Sequence, residues 1–244
     1  MINSATILVI RDGVEGALEV LMVKRHHNIV FAGGAYVFPG GKVDASDLDS
    51  NITGDFDQFI HTAFREVFEE SGLIIATQNG HEIDASVQKT ISDQYRERFL
   101  NNDIDISQFL KSTDVQINLD TIKPFARWVT PRIYPKRYDT RFFLAKAPVS
   151  QIASPDHGEV VGLSWVKPLD FIDKYKEDMM FPTIMNLKLL AQSSTVAEAF
   201  MQAKGRKIIT VEPEVINGIR TIDPAAGYGE VDQSNMHPGA KNIS

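Results

Sequence analysis

The chain has 244 residues, 43% of them hydrophobic and 23% charged, which suits one large domain with a sizeable core. A formal net charge of -7 argues against a nucleic-acid-binding surface, which is normally basic, and the absence of cysteine excludes disulfides and thiolate chemistry. No apolar run approaches the roughly 20 residues of a membrane-spanning helix. Residues 1–13 lack the basic and long apolar stretches of a secretory signal, so we expect a cytoplasmic protein that binds neither nucleic acid nor a membrane.

The hydrophobic pattern predicts a mixture of strands and helices. Apolar residues at 5–11 and 18–25, separated by Asp12-Gly13, are typical of a β-hairpin. The further predicted elements are, in chain order, a short strand at 35–38, a loop at 42–55, a helix at 57–71, amphipathic helices within 85–112, strands at 126–131, 140–146 and 159–166, a long helix at 183–203 and a strand-like segment at 207–213.

The order of these elements predicts one α/β or α+β domain. We find neither an internal repeat nor a clear linker, so we expect the domain to span residues 1–205 with a helical insert at about 85–112. Residues 206–244 are expected to form a C-terminal extension that packs on the same domain or on a partner subunit of a homodimer.

Three glutamates share one side of the helix predicted at 57–71. Glu66, Glu69 and Glu70 stand at i, i+3 and i+4, within an arc of roughly 100°. The apolar side chains on the opposite side are those of Ile60, Phe64, Val67 and Phe68. Carboxylates this close repel one another, and an oxygen-seeking divalent cation such as Mg²⁺ or Mn²⁺ would relieve the repulsion. The simpler alternative is a solvated acidic face.

The residues around this helix favour the metal interpretation. Pro39-Gly40-Gly41 makes a tight turn, where a glycine backbone can approach a ligand closely and the Gly41 carbonyl can supply a further oxygen. Arg65 fits two roles, as an i,i+4 partner of Glu69 and as a donor that holds a ligand carboxylate in position.

Turn and helix together resemble the Nudix signature, G-x5-E-x7-R-E-U-x-E-E-x-G-U, in which U is a bulky aliphatic residue. Gly41 matches the first glycine, and residues 65–73 (REVFEESGL) match the second half without a mismatch. The resemblance implies a Nudix-type α/β/α sandwich with a mixed sheet, extended by inserted and C-terminal helices. It also implies an enzyme that hydrolyses phosphoric anhydride bonds in a small-molecule diphosphate.

The resemblance assigns metal binding (Mg²⁺ or Mn²⁺) to Gly41, Glu66, Glu69 and Glu70 and a supporting catalytic role to Arg65. The general base is drawn from different places within this superfamily, and the candidates here are Glu66, Glu69 and Glu159. One part of the signature departs from the pattern, since 23 residues separate Gly41 from Arg65 where the family has 13. The middle glutamate therefore has no certain counterpart: Asp47 is at the right distance from Gly41, and Asp44 is the alternative.

Other segments resemble the Nudix branch that contains the peroxisomal coenzyme A/acyl-CoA diphosphatase. They are residues 38–47 (FPGGKVDASD), 128–131 (WVTP), 136–144 (KRYDTRFFL) and 181–183 (FPT). The coenzyme A motif of shorter Nudix pyrophosphatases is kept only in part. Arg25 is retained, whereas His26 and Val30 replace its small residue and its second arginine.

Arginines outside the helix are candidates for binding the substrate's phosphates, because a guanidinium offers a planar fork of donors. These candidates are Arg25, Arg132, Arg137 and Arg141. Three functions remain open: hydrolysis of coenzyme A or acyl-CoA; hydrolysis of nucleotide sugars, dinucleotides or NADH; and ligand binding without catalysis. The intact set of three glutamates argues against the last, because a pure binding module has no need of the metal site.

Overall fold

A mixed β-sheet forms the centre of the fold. The computed structural model describes residues 1–29, 32–49, 51–118, 121–156, 158–216, 219–229 and 231. Val30 and residues 232–244 of the predicted extension lie outside the described residues. The strands are β1 (Ile2–Asp12), β2 (Leu18–Arg25), β3 (Tyr36–Val37), β4 (Gly40–Lys42), β5 (Thr77–Gln78), β6 (His81–Glu82), β7 (Val115–Gln116), β8 (Ile122–Val129), β9 (Tyr138–Lys146), β10 (Val160–Val166), β11 (Thr210–Val211), β12 (Glu214–Ile216) and β13 (Ile219–Thr221). The helices are α1 (Ile60–Ser71), α2 (Ala85–Leu100), α3 (Ile106–Thr113), α4 (Pro168–Tyr175), α5 (Phe181–Leu190) and α6 (Val196–Gly205).

The main sheet has eight strands, of which six run in the order β10-β2-β1-β9-β8-β11. Strands β3 and β4 add to β2 and β1. The pairs β1–β9 and β8–β11 are parallel and the others antiparallel, so the predicted mixed sheet is confirmed. The predicted hairpin is also present, because Asp12 of β1 is directly opposite Leu18 of β2.

Helices cover both faces of this sheet, as alternation along β1 requires. Ala5, Ile7 and Val9 pack with α1 on one face. Leu8 and Ile10 point the other way and pack with α4, α5 and α6. The predicted α/β/α sandwich is therefore confirmed, with the helical insert (α2 and α3) lying outside α1.

The helix that carries the glutamates is buried on nearly every side. It begins at Ile60, after a 3-10 turn at Asp57–Phe59, and Gly72 ends it in the left-handed conformation (φ 69°). Its apolar residues do not form one stripe, because Val67 packs on the sheet while Phe64 and Phe68 pack against α2 and α3. The alternative of a solvated acidic face is wrong for Glu66 and Glu70, which are 9% and 4% exposed.

The long helix predicted at 183–203 is in fact two helices. It breaks after α5, and Thr195 begins α6 by accepting a hydrogen bond on its side-chain oxygen from the Glu198 N–H. Such a cap satisfies an N–H group that has no partner within the helix. It therefore favours the start of a new helix, α6, over the continuation of α5.

The described part of the C-terminal extension lies on the same domain. Strand β11 pairs with β8, and the Tyr228 hydroxyl accepts a hydrogen bond from Trp128 Nε1 at 2.7 Å. Within the described ranges, no helix combines the length and apolar character that crossing a membrane requires.

Candidate active site

The carboxylates of α1 lie against the two glycines of β4. The Gly40 N–H donates to Glu70 Oε2 at 3.1 Å. A side chain on Gly41 would collide with the Glu66 carboxylate, because an added Cβ would lie only 2.6 Å from its Cδ atom. An alanine at position 41 would therefore force the Glu66 carboxylate to move. The turn and the glutamates lie close together, as predicted.

Arg65 joins these carboxylates to the inserted loop. Its Nε and Nη2 atoms each donate to Asp47 at 2.9 Å, in a bidentate pair. Its Nη1 atom donates to Glu69 at 3.1 Å and lies 3.0 Å from Glu66 Oε1. Its Nη2 atom also donates to the Lys42 carbonyl at 3.0 Å. The predicted Arg65–Glu69 contact therefore exists, within a larger network that fixes the guanidinium.

Of the two aspartates left open by the insertion, Asp47 occupies the buried position. It is 0% exposed and accepts a further hydrogen bond from Thr62 Oγ1 at 2.8 Å. The side chain of Asp44 is 56% exposed and lies 3.6 Å from Arg65 Nη2. Asp47 therefore supplies the carboxylate that holds Arg65.

Burial and mutual repulsion disfavour ionisation of the three glutamates. Burial raises the pKa of Glu66 to about 8, against the opposing charge of Arg65. Burial and then the charge of Glu66 hold the pKa of Glu70 well above its usual value, and burial also raises the pKa of Glu69. A divalent cation favours the ionised forms, so its binding would release protons.

Two candidate site residues that are far apart in the sequence, Arg25 and Glu159, lie close together beside Glu70. Arg25, at the end of β2, lies 3.7 Å from Glu70 Oε1 and 3.5 Å from Glu159 Oε2. The backbone of Glu159 is fixed beside β2, since its carbonyl accepts from the His26 N–H. Glu159 itself is largely exposed, with 65% of its side chain accessible. The structure thus brings these two candidates together at the end of the acidic helix.

The other three candidate arginines have carboxylate partners elsewhere. Arg132 and Arg137 both donate to Glu212 on the C-terminal segment, at 3.1 and 2.7 Å. Arg141 is buried, and its guanidinium pairs with Asp55 and Asp139 at 3.0 Å each. These ion pairs give each arginine a structural role, and phosphate binding by them stays a prediction.

The helical insert holds the end of α1, a contact that the sequence did not reveal. Arg96 of α2 donates to the carbonyl of Glu69 at 2.9 Å and to the carbonyl of Ser154 at 2.7 Å. Gln88 of the same helix donates to the Gly72 carbonyl at 2.9 Å. Both residues lie on a helix whose sequence pattern indicates only amphipathicity, so no local signal marks them.

The donor chemistry around α1 fits a divalent cation. Carboxylate oxygens are the ligands that Mg²⁺ and Mn²⁺ prefer, and burial raises the pKa values of Glu66 and Glu70 in spite of the neighbouring Arg65 and Arg25. Within the part of the chain that the structure describes, no three His, Asp or Glu side chains converge on one point. Glu66 and Glu69 contact Arg65 while Glu70 faces Arg25, so the side chains must rotate to share an ion.

Replacing Gly41 by alanine is expected to lower catalytic turnover about 10²-fold, since displacement of a catalytic group by about 1 Å has an effect of this size. The added Cβ would push the Glu66 carboxylate from its position. Steady-state kinetics and thermal unfolding of Gly41→Ala check this, with Gly162→Ala as control because an added Cβ at Gly162 meets no atom within 4 Å. Equal turnover in the two variants would contradict the assignment.

The glutamate-bearing helix lies against Gly40-Gly41, so the two halves of the Nudix signature in the sequence are together in the structure. A solved structure agrees: the chain matches a NUDIX hydrolase from Alicyclobacillus acidocaldarius with a TM-score of 0.67 and 26% sequence identity, over 82% of this chain and 96% of that one. More narrowly, residues 48–184, more than half of the chain, match the NUDT19 Nudix domain, and the protein belongs to that family.

Two curated relatives are also similar to the chain. One is the acyl-coenzyme A diphosphatase NUDT19 of Xenopus laevis, 25% identical over 233 residues, which cover 74% of this chain and 61% of that protein. The other is the putative nudix hydrolase 7 of Caenorhabditis elegans, 31% identical over 157 residues, which cover 64% of this chain and 48% of that protein. The chain therefore spans less than two thirds of the length of either relative.

Proposed function

We propose that the protein is a metal-dependent hydrolase that cleaves the diphosphate of coenzyme A or acyl-CoA. The observation that carries this proposal is the set Glu66, Glu69 and Glu70 beside Gly40-Gly41, in which Glu66 and Glu70 are buried and Arg65 holds Glu66 and Glu69. Such a set costs free energy in a protein that binds no cation, because burial and repulsion both oppose ionisation.

The chain's own residues supply orientation and proton transfer. Arg65, fixed by Asp47, holds Glu69 and Glu66 in place. A carboxylate base takes a proton from the water whose oxygen attacks one phosphorus, and the bridging P–O bond breaks. Bound Mg²⁺ or Mn²⁺ supplies positive charge that stabilises the diphosphate and the leaving phosphate.

The base is one of Glu66, Glu69 and Glu159. Glu66 and Glu69 lie on the helix itself, where both contact Arg65. Glu159 is exposed and next to Arg25, which lies within reach of both Glu159 and Glu70. A substrate phosphate bound by Arg25 would therefore lie between the helix and Glu159, and this favours Glu159 as a base that approaches from outside the helix.

Three observations support coenzyme A as the substrate class. They are the match to the NUDT19 family, the acyl-coenzyme A diphosphatase activity in the name of the Xenopus relative, and Arg25, an arginine of the coenzyme A motif that this chain retains. Nucleotide sugars, dinucleotides and NADH are the second candidate class, since the same metal site serves any of these diphosphates. A cytoplasmic location and a homodimer stay predictions.

A hydrolysis panel tests this proposal. The enzyme is incubated with coenzyme A, acyl-CoA, NADH, ADP-ribose, nucleotide sugars and dNTPs, in Mg²⁺, in Mn²⁺ and in chelator, with products identified by mass. We expect metal-dependent release of 3′,5′-ADP and a phosphopantetheine. Preferred turnover of another diphosphate would contradict the substrate class, and no turnover of any would favour a non-catalytic binding module.

A further inference from the structure

One side chain of the helical insert contacts both the acidic helix and the segment that leads to Glu159. Arg96, in α2, donates from Nε to the Glu69 carbonyl at 2.9 Å and from Nη2 to the Ser154 carbonyl at 2.7 Å. Its Nη1 atom donates to Ser154 Oγ at 3.1 Å. The Ser154 N–H in turn donates to the carbonyl of Ser71, the last residue of α1, at 2.9 Å. Because the guanidinium is planar and rigid, these bonds fix the segment at Ser154 relative to α1.

A second side chain, that of Asp156, holds the backbone that carries Glu159. Its Oδ2 atom accepts a hydrogen bond from the Glu159 N–H at 3.2 Å. Its Oδ1 atom accepts from the Gly158 N–H at 3.2 Å and from the Val160 N–H at 2.8 Å. One carboxylate thus binds three successive N–H groups, and a charged acceptor makes such bonds stronger than a neutral one. Burial lowers the pKa of Arg96 and the charge of Asp156 opposes this, so the two side chains also attract each other.

The side chain of Glu159 depends on this backbone for its position. The Glu159 carbonyl accepts from the His26 N–H at 2.8 Å, and the next residue, Val160, is fully buried against β2 and β3. The carboxylate itself is largely exposed, and its contact with Arg25 is long, at 3.5 Å. The direction in which Glu159 points is therefore set mainly by the backbone and the residues that hold it.

We propose that Arg96 and Asp156 are positioning residues, which place Glu159 beside the carboxylates of α1 so that it takes a proton from the attacking water. The inference rests on the proposed function, and within it on Glu159 as the base. Arg96 sets the position of the segment relative to α1, and Asp156 sets the turn between that segment and Glu159. A base must lie within hydrogen-bond reach of its proton, so a displacement of about 1 Å slows the reaction about 10²-fold.

Steady-state kinetics of single and double variants test the role of Asp156. Glu159→Gln removes the base and should lower kcat by about 10²-fold or more. Asp156→Ala keeps the base but releases its backbone, so we expect kcat to fall about tenfold or more with KM nearly unchanged. In the Glu159→Gln background, Asp156→Ala should then lower kcat no further. A loss in that background equal to the loss in wild type would show an independent structural role and overturn the proposal.

The same kinetics test Arg96, with Arg98→Gln as the matched control. Arg98 is two residues further along α2, is exposed, and lies 5.5 Å from the ring of Tyr95 on the same helix. We expect Arg96→Gln to lower kcat about tenfold in wild type and no further in the Glu159→Gln background. Arg98→Gln should keep the kcat of wild type. Equal kcat in Arg96→Gln and Arg98→Gln would overturn the role of Arg96.

Amide hydrogen exchange measures the hold on this backbone without any turnover. In chelator, Asp156→Ala and Arg96→Gln should both raise exchange at residues 158–160, whose N–H groups depend on the Asp156 carboxylate, and Arg98→Gln should not. Exchange as slow as in wild type in both variants would overturn the proposal. If Asp156→Ala fails to fold, Asp156→Asn replaces it and keeps one acceptor oxygen. We then expect a smaller loss of kcat, and an unchanged kcat would again overturn the proposal.

Two outcomes separate this inference from the proposed function. An active wild type with full kcat in Glu159→Gln would leave the diphosphatase proposal intact and overturn the role of Glu159 and of its positioning residues. A wild type that hydrolyses no diphosphate would contradict the proposed function and this inference together.

Discussion

Glu69→Gln and Glu70→Gln should each lower turnover by about 10²-fold or more while the protein stays folded. A charge contribution of several kcal/mol at the transition state corresponds to at least this factor, since each 1.36 kcal/mol is tenfold in rate. Both glutamates are forced towards protonation in the metal-free protein, where burial raises their pKa values. An uncharged amide of the same shape is therefore tolerated by the fold.

Stability and activity are expected to separate in these variants. Unfolding in chelator should show a Tm for Glu70→Gln equal to that of wild type or higher, because glutamine removes a carboxylate whose ionisation burial opposes. The Tm of Glu69→Gln should be somewhat lower, since this change weakens a contact with Arg65. Added Mg²⁺ should stabilise wild type more than either variant. Glu97→Gln, on the exposed side of α2, is the control and should change neither quantity. Full activity in both helix variants would show that these carboxylates do not carry the reaction.

The fold could be predicted where the signal is local and periodic. The β1–β2 hairpin, the acidic helix and its end at Gly72 are all present, because alternation, helical spacing and a left-handed glycine each act over a few residues. The hydrophobic pattern does not predict the division between α5 and α6, although Thr195 and Glu198 have the spacing of a helix start. The apolar residues on either side continue the periodic pattern and conceal the break.

The sequence predicts only the part of the candidate site that lies on one helix, α1. Helical spacing puts Glu66, Glu69 and Glu70 together, but it does not indicate that two of them are nearly inaccessible. Glu66 lies against Gly41, and Glu70 lies against Gly40 and Arg25, which are contacts between separate segments. The meeting of Arg25 with Glu159 depends on the pairing of β2 with β10, across 134 positions of sequence.

Asp47→Ala should cost about 3–5 kcal/mol of unfolding free energy, the usual effect of removing one partner of a buried ion pair. The substitution leaves the Arg65 guanidinium buried without its bidentate acceptor, and Thr62 Oγ1 without its partner. At about 2–4 °C per kcal/mol for a chain of this size, the Tm should fall by about 6–20 °C.

Asp44→Ala is the matched control for that prediction, because the two aspartates lie three residues apart and both face Arg65. The Asp44 carboxylate is exposed and 3.6 Å from the guanidinium, so its loss should cost less than about 1 kcal/mol. Turnover should fall with Asp47→Ala and hardly change with Asp44→Ala, since only Asp47 fixes the arginine that holds Glu69. A larger loss in the Asp44 variant would instead make Asp44 the counterpart of the middle glutamate in the Nudix signature.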